Sequence, residues 1–365
     1  MTVDPIAAVE AATVELSLPV PIRLGSVEIR KREYALVRVT TGAGLIGSAY
    51  CLTRGAPICE ALERLVAPSL LGCDADAIEA CWEQSHRATL FSGRSGVVMR
   101  ALGLADIALW DIKGQRASMP VWRLLGGHKA SVPVLLVAGY PVTGGSLDAL
   151  ADDLVAYAES GYRLIKLARL ADREGMATLL GNVASRVGDR VGLVVDAAYC
   201  WSTVTEALDE SSSWNAPLTW LEDPFPPERL PAYARFRERC GYALAAGDEA
   251  AGSTTGALLD AGLLDFLRLD IPAVGGITPA LRLMSRAAQA EIPVSFHIYP
   301  EISVHLAAAR AQETIVETFD TTIPGGNPFD PAHTLTGISL ATGDGRITAP
   351  EEPGLGFSLA WPTGA

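Results

Sequence analysis

Two hydrophobic rhythms divide the chain. From Val9 to about Tyr50 the apolar residues fall into strand-like runs at 27–30 and 34–40, then a turn at 41–44, then a third run at 45–51. Helical spacing follows at 56–65 and again from Asp74 through Ile78 and Trp82. It is clearest across 96–114, where apolar residues stand at 97, 98, 101, 102, 104, 105, 108 and 109. This stretch predicts an α+β domain over residues 1–128. From Val132 onward short apolar runs alternate with helical segments, at 162–167, 191–196, 218–222, 242–248, 266–270, 293–297 and 314–317. Short, fully apolar runs separated by helices are the signature of parallel strands covered on both faces.

Each of these runs ends on a charged or titratable residue, at 166, 196, 222, 248, 270, 297 and 317. The spacings are 30, 26, 26, 22, 27 and 20 residues, the beat of one β-α unit. Seven or eight such units close naturally into a (β/α) barrel over residues 129–333, which brings all the strand ends to one mouth. An open doubly wound sheet is the competing architecture, and it would string the same ends along a line. The tail, 334–365, carries strand-like stretches at 337–340 and 356–361 and no barrel unit, so it is expected to return to the first domain.

Composition narrows the function. With 365 residues, 49% hydrophobic and 19% charged, the chain can bury a large core and is not disordered. The formal net charge of −13 repels phosphate backbones and anionic lipid, so neither nucleic acid nor a membrane surface is an expected partner. The six cysteines, at 51, 59, 73, 81, 200 and 240, show no CxxC spacing and fit reduced thiols. No basic segment leads into an apolar run at the start, and no run of about 18 apolar residues occurs. The expectation is a soluble, cytoplasmic protein.

Asp196, Glu222 and Asp248 end three consecutive runs. Any one alone would read as a helix cap or a solvent-facing acid. Three carboxylates converging on one mouth repel one another unless a cation sits among them, and hard oxygen ligands suit Mg²⁺. Glu249 follows Asp248, and strand alternation lets only one of the two face inward, so the third ligand stays open between them. The next two ends, Asp270 and His297, have the form of a base and its orienting carboxylate. Lys166 faces the acids as a stabiliser of developing negative charge, against the alternative of a surface lysine. Glu317 is a lone strand-end acid. His86, His128, His305 and His333 lack such a setting and are expected to be structural or exposed. The GxGxxG match at 42–47 precedes a further strand-like run and not a helix, so it predicts a hairpin turn and no phosphate site.

These residues sit in segments that resemble the enolase superfamily, in particular the mandelate racemase subgroup of the mandelate racemase/muconate lactonizing enzyme family. The segments are ADIALWDIKG at 105–114, PVWRLLGG at 120–127, GYRLIK at 161–166, WLEDP at 220–224, AGD at 246–248, DIPAVGGIT at 270–278, SFHIYPEISVH at 295–305 and PGLGF at 353–357. The likeness spans essentially the whole chain. It implies a modified (β/α)7β barrel with an N-terminal α+β capping domain, completed by the C-terminal tail. It implies Mg²⁺ on Asp196, Glu222 and Asp248, proton abstraction alpha to a carboxylate to give an enediolate, His297 as base, Asp270 as its partner, and Glu317 as a hydrogen-bond donor to the substrate carboxylate. A loop near residues 16–25 is expected to close over the mouth and set specificity, and homo-oligomers are common among such proteins.

Two departures from the family pattern bear on the reaction. The second strand usually reads K-x-K, but here Lys166 is followed by Leu167 and Ala168, with Arg169 pointing away by alternation. Asn often stands two residues after the first metal ligand, where this chain has Ala198. With Ala168 on one face, a two-base racemase is disfavoured and a one-base loss of water survives, His297 taking the α-proton and then protonating the departing hydroxyl. The expected activity is therefore an acid-sugar dehydratase, a hydro-lyase. The alternatives are a racemase or epimerase whose second base comes from elsewhere, and a metal- and ligand-binding protein that has lost turnover.

Overall fold

A long antiparallel hairpin opens the fold. The computed structural model describes residues 3–24, 27–142, 144–320, 331–338, 340 and 342–362. Strands β1 (Ile6–Leu24), β2 (Val27–Thr41) and β3 (Ile46–Leu52) form a three-stranded sheet in that order. The runs expected at 27–30 and 34–40 are parts of one strand, because Lys31 to Glu33 continue the pairing with β1. The 42–47 stretch is the hairpin turn expected, with Gly44 at a positive φ of 85°. Gly47 has a different reason to be glycine: a Cβ there would lie 2.0 Å from the carbonyl oxygen of Ala108. The sheet can therefore sit directly on the helix Val97–Ala117, whose residues are buried along most of its length. Helical turns over Ile58–Leu70 and the helix Ile78–Thr89 complete this layer.

The second layer is a closed barrel of eight parallel strands: β4 (Ser131–Gly139), β5 (Leu164–Ala168), β6 (Gly192–Asp196), β7 (Trp220–Glu222), β8 (Leu244–Ala246), β9 (Phe266–Leu269), β10 (Val294–Phe296) and β11 (Ile315–Thr318). Pairing of Val316 with Val134 joins β11 to β4 and closes the ring. Helical crossovers follow β4 to β10, the (β/α)7β arrangement. Inside, Leu135, Val194, Trp220 and Ala245 pack with Leu164, Phe266 and Ile315 into an apolar plug, the Trp220 and Phe266 rings 4.6 Å apart. The charged strand ends rest on that plug. Among the described residues no helix is long and apolar enough to cross a membrane, and all six cysteines are free thiols.

The tail departs from its expected strands. Of the stretch 337–340, Ser339 lies outside the described residues and the rest is irregular, as is 356–361. The tail's strands are instead β12 (Thr342–Gly343) and β13 (Arg346–Thr348), turned by Asp344 and Gly345 at positive φ. They extend the sheet where Arg346 pairs with Pro133 of β4. Residues 354–361 lie against the N-terminal layer without a strand partner there. Arg38 donates to the Leu359 carbonyl and stacks 4.3 Å from the Trp361 ring, and Asp111 accepts from the Leu355 amide. Polar anchors thus satisfy some of the backbone groups that a sheet would otherwise serve.

His305 locks this junction. Its Nδ1 accepts from the Trp122 amide at 3.2 Å and its Nε2–H donates to the Leu355 carbonyl at 3.1 Å, which only the neutral ring can do. Burial pushes its pKa down to about 4. The unfolded chain therefore binds this proton more readily, so stability is full above about pH 6.5 and falls as the pH drops toward 4. The stability advantage of the native chain over His305→Gln is expected to shrink by about 2 kcal/mol between pH 7 and pH 5. Urea unfolding at the two pH values measures it; an unchanged difference would mean that the ring is charged in the fold.

Candidate active site

Alternation along the barrel strands decides what faces the cavity. On β5 the inward series is Leu164, Lys166, Ala168; on β6 it is Val194, Asp196; on β7 it is Trp220, Glu222. Phe266 sits in the apolar plug, and the same parity carries Arg268 and then Asp270 upward from it. Ser295 and His297 follow on β10, and Glu317 stands two residues above Ile315 on β11. Asp248 lies just beyond β8, after Gly247 at φ 132°. A Cβ on Gly247 would meet the Arg268 carbonyl oxygen at 2.2 Å, so the chain turns Asp248 into the mouth only because that residue is glycine.

Four of the predicted carboxylates meet around the ammonium group of a fifth predicted residue. Lys166 Nζ lies 2.5 Å from Glu222 Oε1, 3.2 Å from Glu317 Oε2, 3.3 Å from Asp196 Oδ2 and 3.7 Å from Asp248 Oδ2. The tightest carboxylate group is Glu222, Asp248 and Glu317, whose oxygens fall within 4.8 Å of one another. Asp196 is set slightly apart: its Oδ2 accepts from the Tyr140 hydroxyl at 3.1 Å and its Oδ1 from the Ala198 amide at 2.8 Å. Burial disfavours the charge on Lys166, but the surrounding carboxylates, Glu222 first, raise its pKa well above the ordinary value. Burial and the neighbouring Asp248, Glu222 and Asp196 drive the adjacent Asp223 upward, toward the neutral acid.

Beside this group stands the histidine. His297 Nδ1 is 2.9 Å from Asp270 Oδ2, and its Nε2 is 3.6 Å from Asp248 Oδ2. Burial alone would lower the imidazole pKa; Asp248, the Asp270 hydrogen bond and Glu317 outweigh it and raise the value. Asp270 also caps the short helix Ile271–Val274 by accepting from the Ala273 amide. Burial would make Asp270 a weaker acid, but Arg100 and His297 hold it well below the usual carboxylate range. The dyad is thus an ionised carboxylate orienting a basic ring.

The pair at 248 and 249 resolves into two roles. Asp248 faces Lys166 and His297, whereas Glu249, at φ 59°, turns to the N-terminal layer. There Arg54 and Arg100 clamp its carboxylate, and Arg100 reaches on to Asp270 at 3.4 Å. Arg169 points away from the cavity, as alternation required, into a double hydrogen bond with Glu210. Ala168 is 1% exposed, in an apolar patch with Leu18, Ile22, Val137 and Tyr140. The segment expected as a loop at 16–25 is instead the far end of β1, bulged between Ser17 and Ile22, with Gly25 outside the described residues. Its pairing with β2 and an Arg23 amide bond to the Pro141 carbonyl hold it over this rim.

Sequence reading missed Arg268, Arg100 and Tyr140. Arg268 was legible by parity, since it stands two residues before Asp270 and two after the inward Phe266. The other two come from elements whose packing on the mouth no local pattern reveals. The donor set suits a hard divalent ion: all oxygens, with Asp196, Glu222, Asp248 and Glu317 facing Lys166 and Arg268, which leaves two negative charges uncompensated.

Comparison with known proteins agrees with this geometry. Residues 7–126 match the mandelate racemase/muconate lactonizing enzyme N-terminal domain, and residues 149–362 match the enolase C-terminal domain-like family. The chain is 29% identical to a 3,6-anhydro-alpha-L-galactonate cycloisomerase of Streptomyces coelicolor over 361 residues, 94% of each chain. It is 30% identical to an L-talarate/galactarate dehydratase of Salmonella typhimurium, covering 89% of this chain and 80% of that one. The structure of an L-talarate dehydratase from Polaromonas sp. JS666, complexed with Mg and L-glucarate, superposes with a TM-score of 0.86 at 29% identity, over 98% and 95% of the two chains.

Proposed function

The chain belongs to the mandelate racemase/muconate lactonizing enzyme family, and from that membership we propose that it is a Mg²⁺-dependent acid-sugar dehydratase. One observation carries the choice within the family. A basic imidazole with its carboxylate faces the acidic cluster from one side, while the lysine strand offers buried, apolar Ala168 where a second base would stand. Asp196, Glu222 and Asp248 are the residues that would hold Mg²⁺, and when bound the ion polarises the substrate carboxylate and acidifies the neighbouring C–H. His297 removes the α-proton, with Asp270 fixing its tautomer. Lys166 donates to the negative charge that develops on the substrate. The bond to the β-hydroxyl breaks, the imidazolium returns its proton to the departing oxygen as water, and the enol product rearranges to a 2-keto acid. Glu317 receives hydrogen bonds from both Lys166 and Arg268. Besides donating to the substrate carboxylate, its part is to aim those two cations.

The test is incubation with a panel of acid sugars and Mg²⁺, scoring 2-keto product and loss of one water. A keto acid with one or more of them is the expected result. An isomer of unchanged mass would instead align the chain with its cycloisomerase relative. Deuterium at the α-carbon with inversion and no keto acid would mark an epimerase. Tight binding with neither turnover nor α-proton exchange would mark a binding protein and overturn the proposal.

A further inference from the structure

Arg268 has no part in the steps above, yet it is the most deeply committed cation in the site. It is 0% exposed, and every nitrogen of its guanidinium is engaged. Nε lies 3.1 Å from Asp248 Oδ1 and 3.2 Å from Glu222 Oε2. One terminal nitrogen donates to Ser295 Oγ at 2.5 Å and the Phe296 carbonyl at 3.0 Å. The other reaches Asp248 Oδ2 at 3.4 Å and pairs with Glu317. Two of the three carboxylates assigned above to Mg²⁺ therefore share an oxygen with a charge that cannot be titrated away. A merely structural group resting on an apolar plug has no need of a charge. Burying one costs several kcal/mol unless carboxylates repay it.

The charge count shows what that cation changes. Asp196, Glu222, Asp248 and Glu317 supply four negative charges, and Lys166 with Arg268 supply two positive ones. One divalent ion then brings the site to neutrality. Without Arg268 the loaded site would keep a net negative charge and repel a carboxylate substrate. We propose that Arg268 is a fixed internal counter-charge that lowers the site's hold on the metal and, in return, lets the metal-loaded site accept an anionic ligand. This rests on the metal-dependent reading above, with Arg268 acting as a positioning residue through Asp248 and Glu317.

The two halves of the proposal carry opposite signs, which a structural role cannot imitate. Calorimetry at pH 8 would titrate Mg²⁺ into the purified full chain, and then oxalate, a small dicarboxylate probe, into the Mg²⁺-saturated protein. For Arg268→Gln the expected result is Mg²⁺ bound at least tenfold more tightly and oxalate at least tenfold more weakly. For Arg268→Lys, which keeps the charge and loses the fork, Mg²⁺ affinity should stay within about threefold of the native value. Parallel weakening of both ligands in the Gln variant, or unchanged Mg²⁺ affinity, overturns the proposal. If the Gln variant does not fold, the Lys variant decides: Mg²⁺ binding shifted tenfold or more in either direction overturns the charge argument. Absence of Mg²⁺ binding by the native chain would instead sink the dehydratase reading itself.

Discussion

Turnover in His297→Asn is expected to fall by a thousandfold or more, while Mg²⁺ and carboxylate ligands still bind. General-base catalysis contributes about 10²–10⁴ in rate, and here the same group serves twice, first as base and then as acid. Asparagine keeps a side-chain N–H that can donate to Asp270, so the carboxylate 2.9 Å away is not left unpaired. The loss therefore reports on proton transfer and not on collapse of the mouth. Steady-state kinetics with an accepted acid sugar gives kcat, and calorimetry gives the binding constants. Exchange of the α-proton with deuterated solvent, followed by NMR, should vanish together with turnover. Near-native turnover in this variant would mean that the base has been misassigned. A variant that loses binding as well would place His297 among the ligand-holding groups.

The second large effect concerns the metal. Glu222→Gln removes one of the four negative charges around Lys166, and the residual charge available to a divalent ion drops from two to one. Mg²⁺ affinity should fall by at least tenfold, about 1.4 kcal/mol or more. Glu222 is also the partner of both buried cations, at 2.5 Å from Lys166 and 3.2 Å from Arg268. Without its charge three carboxylates still face the two cations, and repulsion among the acids falls, so the metal-free variant should keep its stability to within about 1 kcal/mol. Excess Mg²⁺ should restore part of the activity. Calorimetry and thermal melts in the presence of a chelator separate affinity from stability. Unchanged metal affinity would remove Glu222 from the ligand set.

Arg100 offers a link between the two layers that bears on both experiments. It extends from the helix Val97–Ala117 of the N-terminal layer to Glu249 and Asp270 at once. The charge that keeps Asp270 ionised thus comes from outside the barrel, so the N-terminal layer does more than roof the cavity. His297 depends on it at one remove.

Much of this was legible in the chain itself. Short, fully apolar runs repeating every 20 to 30 residues announced the parallel barrel and placed Lys166, Asp196, Glu222, Asp248, Asp270, His297 and Glu317 at one mouth. Local rules sufficed because an inward-facing residue at a strand's carboxyl end has nowhere else to go. The choice between Asp248 and Glu249 was not local. It depended on Gly247 turning beneath the Arg268 carbonyl and on two arginines arriving from the other layer. The rim over Ala168 is likewise a strand rather than a loop, because pairing with β2 across a bulge satisfies its backbone, and pairing partners are set by the sheet.

The tail was misread for the same reason. Residues 356–361 are as apolar as a strand but form none. Arg38 and the Leu335 carbonyl satisfy part of their backbone, and the barrel strand β4 takes residues 346–348 in their place. Within the barrel strands, sequence determined which side chains face inward, since that follows from backbone periodicity alone. Only tertiary structure decided which charges meet which, since a buried carboxylate takes its ionisation and its partner from groups far away along the chain.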